Sequence, residues 1–446
     1  MNEMQASPST DLTRKLAEFA SSFSIQSAPA LAVSNAKLAI LDCLGVSLLA
    51  VTQEVGQATL SFARDNCGAG PCTVWGTGIT TGARDAAFCN GVLSHGLDYD
   101  DRNHSSTYTL AAAMAVAEQH DLSGPRVLEA FIVGREVRNS LDKLFSDRGS
   151  GLGPGAKGWH SNGILGAIAA ACAVANALRL DSQTTLAALG LAAGSCGALT
   201  RDGGTMAKPF RTGHSAATGL TCVLLARSGF SSDETAIEGR FGLLDALSPI
   251  PDAALQSLGK NLGRTFHLEA GIRIKPFASC TASHSGIEAM LRLQEAHRIA
   301  ADEVETIECD LRPYPLIRHY PKRGFEGRFS LPFCLAVALM RKRVAPEDFT
   351  DRNLADPTVQ SLIARTRHVA GSAALTVTLR GGTILSESLR PHSDLCDAEQ
   401  IEAKFHRSTA AILTDQAAST VSDMIQGLDR LPSVHQLTTR LQSKII

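Results

Sequence analysis

The segment HGLDYDDRNH sets His95, Asp98, Asp100, Asp101, Arg102 and His104 within ten residues, directly after the apolar run AAFCNGVLS. Three carboxylates between two imidazoles suit three kinds of work. They could ligate a divalent metal through oxygen and nitrogen. They could form an acid/base site in which carboxylates orient a histidine and hold its tautomer. They could also do no more than cap the helix that follows.

Four further segments carry candidate groups. GLGPGAKGWHSNG lacks the strand and the Ser/Thr that a phosphate loop needs, because Lys157 is followed by Gly158, so it reads as a loop delivering His160. TMAKPFRTGHSAATG holds Ser215 without the second glycine of a nucleophile elbow, so serine catalysis is not expected there. Its useful group is Lys208, before Pro209 in an apolar neighbourhood, suited to holding a carboxylate or acting as a base of depressed pKa. GIRIKPFASCTASHSG carries Arg273, Lys275 and His284; a lone lysine there could equally be a stem reaching solvent. RPYPLIRHYPKRGFEGRFSLP puts Tyr314 and Tyr320 among five arginines and lysines, a pairing of phenol and cation that suits an anionic substrate or an exposed basic loop. Iron–sulfur chemistry needs grouped cysteines, and no CxxC occurs; a dinucleotide fingerprint after an N-terminal strand is also absent. The expectation is a cofactor-free site assembled from His, Lys, Tyr and Asp of distant segments, with cations suited to a small polycarboxylate.

The elements that must position these groups are mainly helical. From Leu12 to about Arg264 apolar residues recur at helical spacing. Ser161–Leu178 and Ser182–Thr200 carry no charge over nearly membrane-spanning lengths, but they are rich in Ala, Gly, Ser and Thr, which favours close helix packing over lipid contact. After Gly271 the pattern changes: Ile307, Cys309 and Leu311 alternate, as do Leu375, Val377 and Leu379 ahead of a Gly381-Gly382 turn and the return TILSESL. Helices are expected over about 285–299 and 330–343. The fold expected is mainly α, with a large all-helical domain built from both chain ends (1–268 and 397–446) and a smaller α+β lid domain (269–396).

The whole chain of 446 residues is long enough for such a core. Charged residues make up only 19%, which points to a surface partly hidden in a homo-oligomer. A formal charge of −2 gives no field to attract nucleic acid or anionic lipid. The polar start MNEMQASPST has no signal-like pattern, so a cytoplasmic location is expected, with no membrane partner and no disulfides among eleven cysteines.

The ordered set HGLDYDD…H, GWHSNGILGA, AKPFRTGHSAATG, EGRFG, IKPFASC…H and GFEGRFSLP resembles the MmgE/PrpD family from about residue 12 to about residue 440. That family includes 2-methylcitrate dehydratases, cis-aconitate decarboxylases and iminodisuccinate epimerases. The resemblance implies a helical domain from both chain ends, a smaller lid, a homodimer and no metal. It also implies that Asp98, His104, His160, Lys208 and Lys275 surround the active site, with a tyrosine contributed by Tyr314 or Tyr320. Arg102 takes the place of a family threonine after the Asp pair, in a loop shorter than in many relatives. Within the family the chain is most similar to the iminodisuccinate epimerases.

The expected function is therefore a cofactor-independent epimerase of a small polycarboxylate, by proton abstraction and return at the carbon next to a carboxylate. His104 is the expected base, with Lys208 or Tyr320 as the opposing acid. Asp98, Arg102, His160, Lys275 and Tyr314 are expected to bind the substrate, the cations stabilising an enediolate. The alternatives are a lyase, whether dehydratase or decarboxylase, and more remotely a non-enzymatic helical oligomer.

Overall fold

The computed structural model describes residues 11–145, 157–247, 252–311, 318–390 and 395–442. Tyr314 lies outside them. The N-terminal part is a stack of helices: α1 (Leu12–Ser22), α2 (Ala30–Val51), α3 (Glu54–Asn66), α4 (Ala83–His95), α5 (Ser105–Gln119), α6 (Gly124–Phe145), α7 (Ser161–Ala177), α8 (Ser182–Gly194) and α9 (Ala207–Arg227). A short hairpin of β1 (Cys72–Thr73) and β2 (Thr80–Thr81) interrupts it. The short helices α10 (Leu243–Leu247) and α11 (Asp252–Asn261) follow.

The uncharged segments are core helices. Every residue of α7 from Asn162 to Ala177 is buried, because α7 is enclosed by α5, α6, α8 and α9. Small side chains permit this. A Cβ added at Gly91 of α4 would come within 2.7 Å of the Gly213 backbone of α9, so these two helices touch main chain to main chain. That close approach brings the last residue of α4, His95, beside Lys208 in the first turn of α9. Among the described residues one helix, α2, is long and apolar enough to cross a membrane, but it is largely buried and carries the buried Asp42.

The sheet-bearing part contains α12 (His284–His297), β3 (Val304–Cys309), α13 (Leu331–Arg341), α14 (Asp351–Leu354), α15 (Pro357–Arg365), β4 (Thr366–His368), β5 (Ala374–Leu379) and β6 (Ile384–Ser388). The strands lie in the order β4-β3-β5-β6, with Ile307 opposite Val377 and Val377 opposite Leu385. Ile307, Cys309, Leu375 and Val377 point into the core, as the alternation requires. Gly382 at the hairpin has φ 83°, a conformation that favours glycine. Two features differ from the sequence reading. Leu311 falls beyond the end of β3, and the parallel strand β4 was not expected, since three residues are too few to show a period.

The C-terminal helices α16 (Ala398–Thr409), α17 (Asp415–Gln426) and α18 (His435–Arg440) return to the helical stack, with α16 and α17 lying on α2. Lys404 of α16 pairs with Asp42 of α2 at 2.7 Å and donates to the Tyr99 carbonyl at 2.5 Å. The chain end thereby grips the segment that carries the polar cluster.

Candidate active site

The nine residues between α4 and α5 contain two non-glycine residues in the left-handed region, Asp98 (φ 50°) and His104 (φ 59°). Such backbone costs roughly 1–2 kcal/mol per residue and persists only where the surroundings enforce it. The enforcement is visible. Asp101 accepts from the N–H groups of Asn103 (3.1 Å), Ser105 (3.3 Å) and Ser106 (2.9 Å) and pairs with Arg135 at 3.1 Å. It is the capping residue of α5. His104 occupies the N-cap position by backbone geometry, yet its side chain makes no cap and is left for other work.

Asp98 takes a different role. Its Oδ1 lies 2.8 Å from Lys208 Nζ and 2.5 Å from Lys275 Nζ, and Lys275 also donates to its main-chain carbonyl at 3.0 Å. Its Oδ2 is buried and makes no hydrogen bond among the described residues. Burial opposes ionisation of Asp98, but the two ammonium groups outweigh it and hold the carboxyl well below its usual range. For Lys275 burial works against the charge, and Asp98 and Asp100 prevail and raise its pKa. Lys208 is lowered, by burial first, with Asp98 opposing and Lys275 adding to the shift. Lys275 is 1% exposed, so it is not a stem reaching solvent.

Asp100 is fully buried and meets both histidines, with Oδ1 3.0 Å from His95 Nδ1 and Oδ2 2.8 Å from His104 Nδ1. The two imidazoles contact edge to face at 4.2 Å between centroids. His95 Nε2 lies 2.8 Å from Lys208 Nζ, and His104 Nε2 lies 3.7 Å from Asp98 Oδ1. Burial is the main cause that lowers both histidines, with Asp100 opposing; His104 is pushed down to about 3. The shifts favour the neutral form of both rings. His160 is held well below its usual value by burial and then by Arg211, Lys208, His104 and His95, which marks it as a neighbour of the cluster. Its Nδ1 accepts from Asn162 N–H at 3.3 Å at the start of α7.

Ligand atoms of His95, Asp98, Asp100 and His104 all lie within 4.8 Å of one another, close enough to suggest a metal site. The donor set does not fit one. Both Nδ1 atoms are committed to Asp100, His95 Nε2 faces an ammonium, and two lysines already hold Asp98 Oδ1. A cation there would have to displace them against like charge.

The structure thus brings together Asp98, His104, His160, Lys208 and Lys275. It does not bring Arg102 or Tyr320 into the buried cluster: Arg102 is exposed at the turn of the loop, and Tyr320 is 71% exposed. The segment around Tyr320 does approach the site, since Arg318 Nε donates to the Gly203 carbonyl, close before α9, at 3.1 Å. Two residues of the cluster carry no individual role in the sequence reading, and a third, Arg328, is not singled out there at all. His95 and Asp100 sit inside the quoted motif, but nothing in spacing distinguishes Asp100 from its neighbour Asp101. Arg328, in GFEGRFSLP, is 2% exposed, donates to the Leu97 carbonyl at 3.2 Å, and lies over the rings of Phe325 and Phe349. A separate groove of about 500 Å³ lies on the outer faces of α4 and α9, lined by residues such as Phe62, Phe88, Phe210 and His214, and includes none of the cluster residues.

Chemically, the arrangement offers a neutral imidazole with a lone pair, two ammonium groups around one carboxylate, and a buried guanidinium beside them. Its cations exceed its anions once Arg328 is included, a balance that suits an anionic ligand. The chain has relatives among known proteins over nearly its whole length. The chain is 25% identical to a cis-aconitate decarboxylase of Aspergillus terreus, over 97% of this chain and 96% of that protein. It is 24% identical to the cis-aconitate decarboxylase of Homo sapiens, over 92% and 90% of the two chains, and 23% identical to that of Mus musculus, over 92% and 89%. Residues 14–256 match the MmgE/PrpD N-terminal domain and residues 277–430 the MmgE/PrpD C-terminal domain, so the chain belongs to the MmgE/PrpD family.

Proposed function

We propose that the protein is a lyase that decarboxylates a cis-aconitate-type tricarboxylate. The expectation of an epimerase gives way because the relatives named above are decarboxylases, while the cluster serves either reaction. The observation that carries the reading is the pair Lys208 and Lys275, both within 2.8 Å of Asp98 Oδ1, with His104 Nε2 only 3.7 Å from the same oxygen.

Decarboxylation breaks the bond between the departing carboxylate and the saturated carbon. The electron pair shifts the double bond and places negative charge on the former vinyl carbon, next to another carboxylate. Fixed cations stabilise this enediolate-like charge. Lys208 and Lys275 supply them. Lys208 is also the proton carrier of the resting site, since His104 is neutral; it delivers a proton to the carbanion, CO2 leaves, and solvent restores the proton. A polyanion in contact with His104 raises its proton affinity, which makes His104 the second carrier.

A second reading, two-base epimerisation of iminodisuccinate, is favoured by the same pairing of a lone-pair histidine with a protonated lysine. One experiment separates the readings. Incubation with cis-aconitate should release CO2 and replace the single vinyl proton by a saturated methylene and a new pair of =CH2 protons in the proton NMR spectrum, with one deuterium incorporated per turnover in D2O. Unchanged cis-aconitate, together with interconverting iminodisuccinate stereoisomers that acquire α-deuterium, would establish the isomerase. An alkene formed from a hydroxy-tricarboxylate would establish a dehydratase.

A further inference from the structure

We propose that Asp100 and His95 are positioning residues that impose one tautomer on His104 and one hydrogen-bond direction on Lys208, making the two acid/base groups a single unit. This rests on the acid/base reading of the cluster. A carboxylate can only accept, and each oxygen of Asp100 faces an Nδ1, at 3.0 Å from His95 and 2.8 Å from His104. Both Nδ1 atoms therefore carry hydrogen. His95 Nε2 is then a lone pair, which accepts from Lys208 Nζ at 2.8 Å. A further Lys208 hydrogen goes to Asp98 Oδ1 at 2.8 Å, and the ammonium lies 5.2 Å from the centroid of the Phe329 ring.

His104 Nε2 is then also a lone pair, and Asp98 Oδ1, 3.7 Å away, is another acceptor. It is the nitrogen left to exchange protons with a substrate. Once protonated it would lie between two carboxylates, with Nδ1–H on Asp100 and Nε2–H toward Asp98. Burial follows the same division: the side chains of His95 and Asp100 are 1% and 0% exposed, while that of His104 is 12% exposed. The inner pair is shut off from solvent, and the outer histidine is not.

An amide at position 100 cannot satisfy both rings. One would meet the amide N–H₂ and be forced to carry its hydrogen on Nε2. If that ring is His104, the reactive lone pair is lost; if it is His95, an Nε2–H confronts the Lys208 donors. The test uses the full-length protein with ¹⁵N-labelled histidine at pH 7, with resonances assigned through His104→Gln and His95→Gln. In the unmodified protein both rings should show pyrrole-type Nδ1 and pyridine-type Nε2. In Asp100→Asn at least one ring should switch, and turnover should fall by roughly 10²-fold to 10⁴-fold with KM within a few-fold. His95→Gln retains a donor for Asp100 and an acceptor for Lys208, so it should keep turnover within about ten-fold, whereas His95→Leu should lose as much as Asp100→Asn. A His104 ring that already carries hydrogen on Nε2, or an Asp100→Asn protein with unchanged tautomers and turnover, would overturn the proposal. If Asp100→Asn does not fold, the native tautomers and the His95 pair decide it. Failure to decarboxylate cis-aconitate would refute the proposed function alone, because the tautomers are read without substrate.

Discussion

Lys275 places its Nζ 2.5 Å from Asp98 Oδ1 and 3.0 Å from the carbonyl oxygen of the same residue, tying the loop after α4 to the segment that leads into α12. The contact neutralises a buried carboxylate and, in the proposed reaction, fixes a cation where negative charge would develop. Lys275→Met should therefore lower turnover by on the order of 10²-fold or more, the usual scale for removing one preorganised stabiliser. Steady-state kinetics on protein with an unchanged circular dichroism spectrum checks this, and full activity would remove Lys275 from the mechanism.

His104→Gln keeps size and hydrogen bonding but cannot carry a proton near neutral pH. Turnover per folded molecule should drop by roughly 10²-fold to 10⁴-fold. A histidine that only terminates a helix would instead cost about 1 kcal/mol of stability and leave turnover nearly intact.

The depressed histidines make stability depend on pH with a definite sign. The unfolded chain takes up a proton on His104 near its ordinary value of 6.5, whereas the folded protein resists until about 3. Between those values the unfolded state binds more protons, so stability rises with pH. It is fully present above about pH 6.5 and is lost progressively as pH falls toward 3. His95 and His160 are displaced in the same direction. Urea denaturation at pH 5 and pH 7 should show the difference, and His104→Gln should flatten the slope by up to about 1.4 kcal/mol per pH unit. A slope unchanged in that variant would mean that His104 is not depressed.

Lys404 and Asp42 form a buried pair at 2.7 Å, with side chains 5% and 1% exposed. Burial pushes Asp42 up to about 6, and Lys404 opposes the shift. Lys404→Met should cost about 3–5 kcal/mol because it leaves a buried charge without its partner, and Lys404→Met combined with Asp42→Leu should recover most of that loss. Turnover should stay low in both, because the hold on the Tyr99 carbonyl, next to Asp98, is gone. Wild-type turnover in the double variant would show that α16 does not position the loop.

The lysines around Asp98 predict independence from metal. Exhaustive chelation should leave turnover unchanged, and added zinc should inhibit or have no effect. Loss of activity on chelation with recovery on adding zinc or manganese would reverse the assignment of the cluster.

Much of this protein is legible in its sequence, because local rules act on neighbouring residues. Helical spacing marks the N-terminal stack, strict alternation marks β3 and β5, and Gly381-Gly382 marks the hairpin. The motif from His95 to His104 announces a polar site, and the segments around His160, Lys208 and Lys275 announce its partners. Their convergence follows from packing. Gly91 and Gly213 let α4 and α9 touch, which sets His95 against Lys208. The division of labour among three nearby aspartates was equally beyond spacing. Asp98 holds lysines, Asp100 bridges histidines and Asp101 caps α5, and left-handed backbone at Asp98 and His104 accompanies this arrangement. The exposed Tyr320, the buried Arg328 and the reach of Lys404 from the chain end were likewise decided by tertiary structure. The physical reason is common to all of them: a side chain's chemistry belongs to the residue, but its partners, burial and proton affinity belong to the surfaces that folding presses against it.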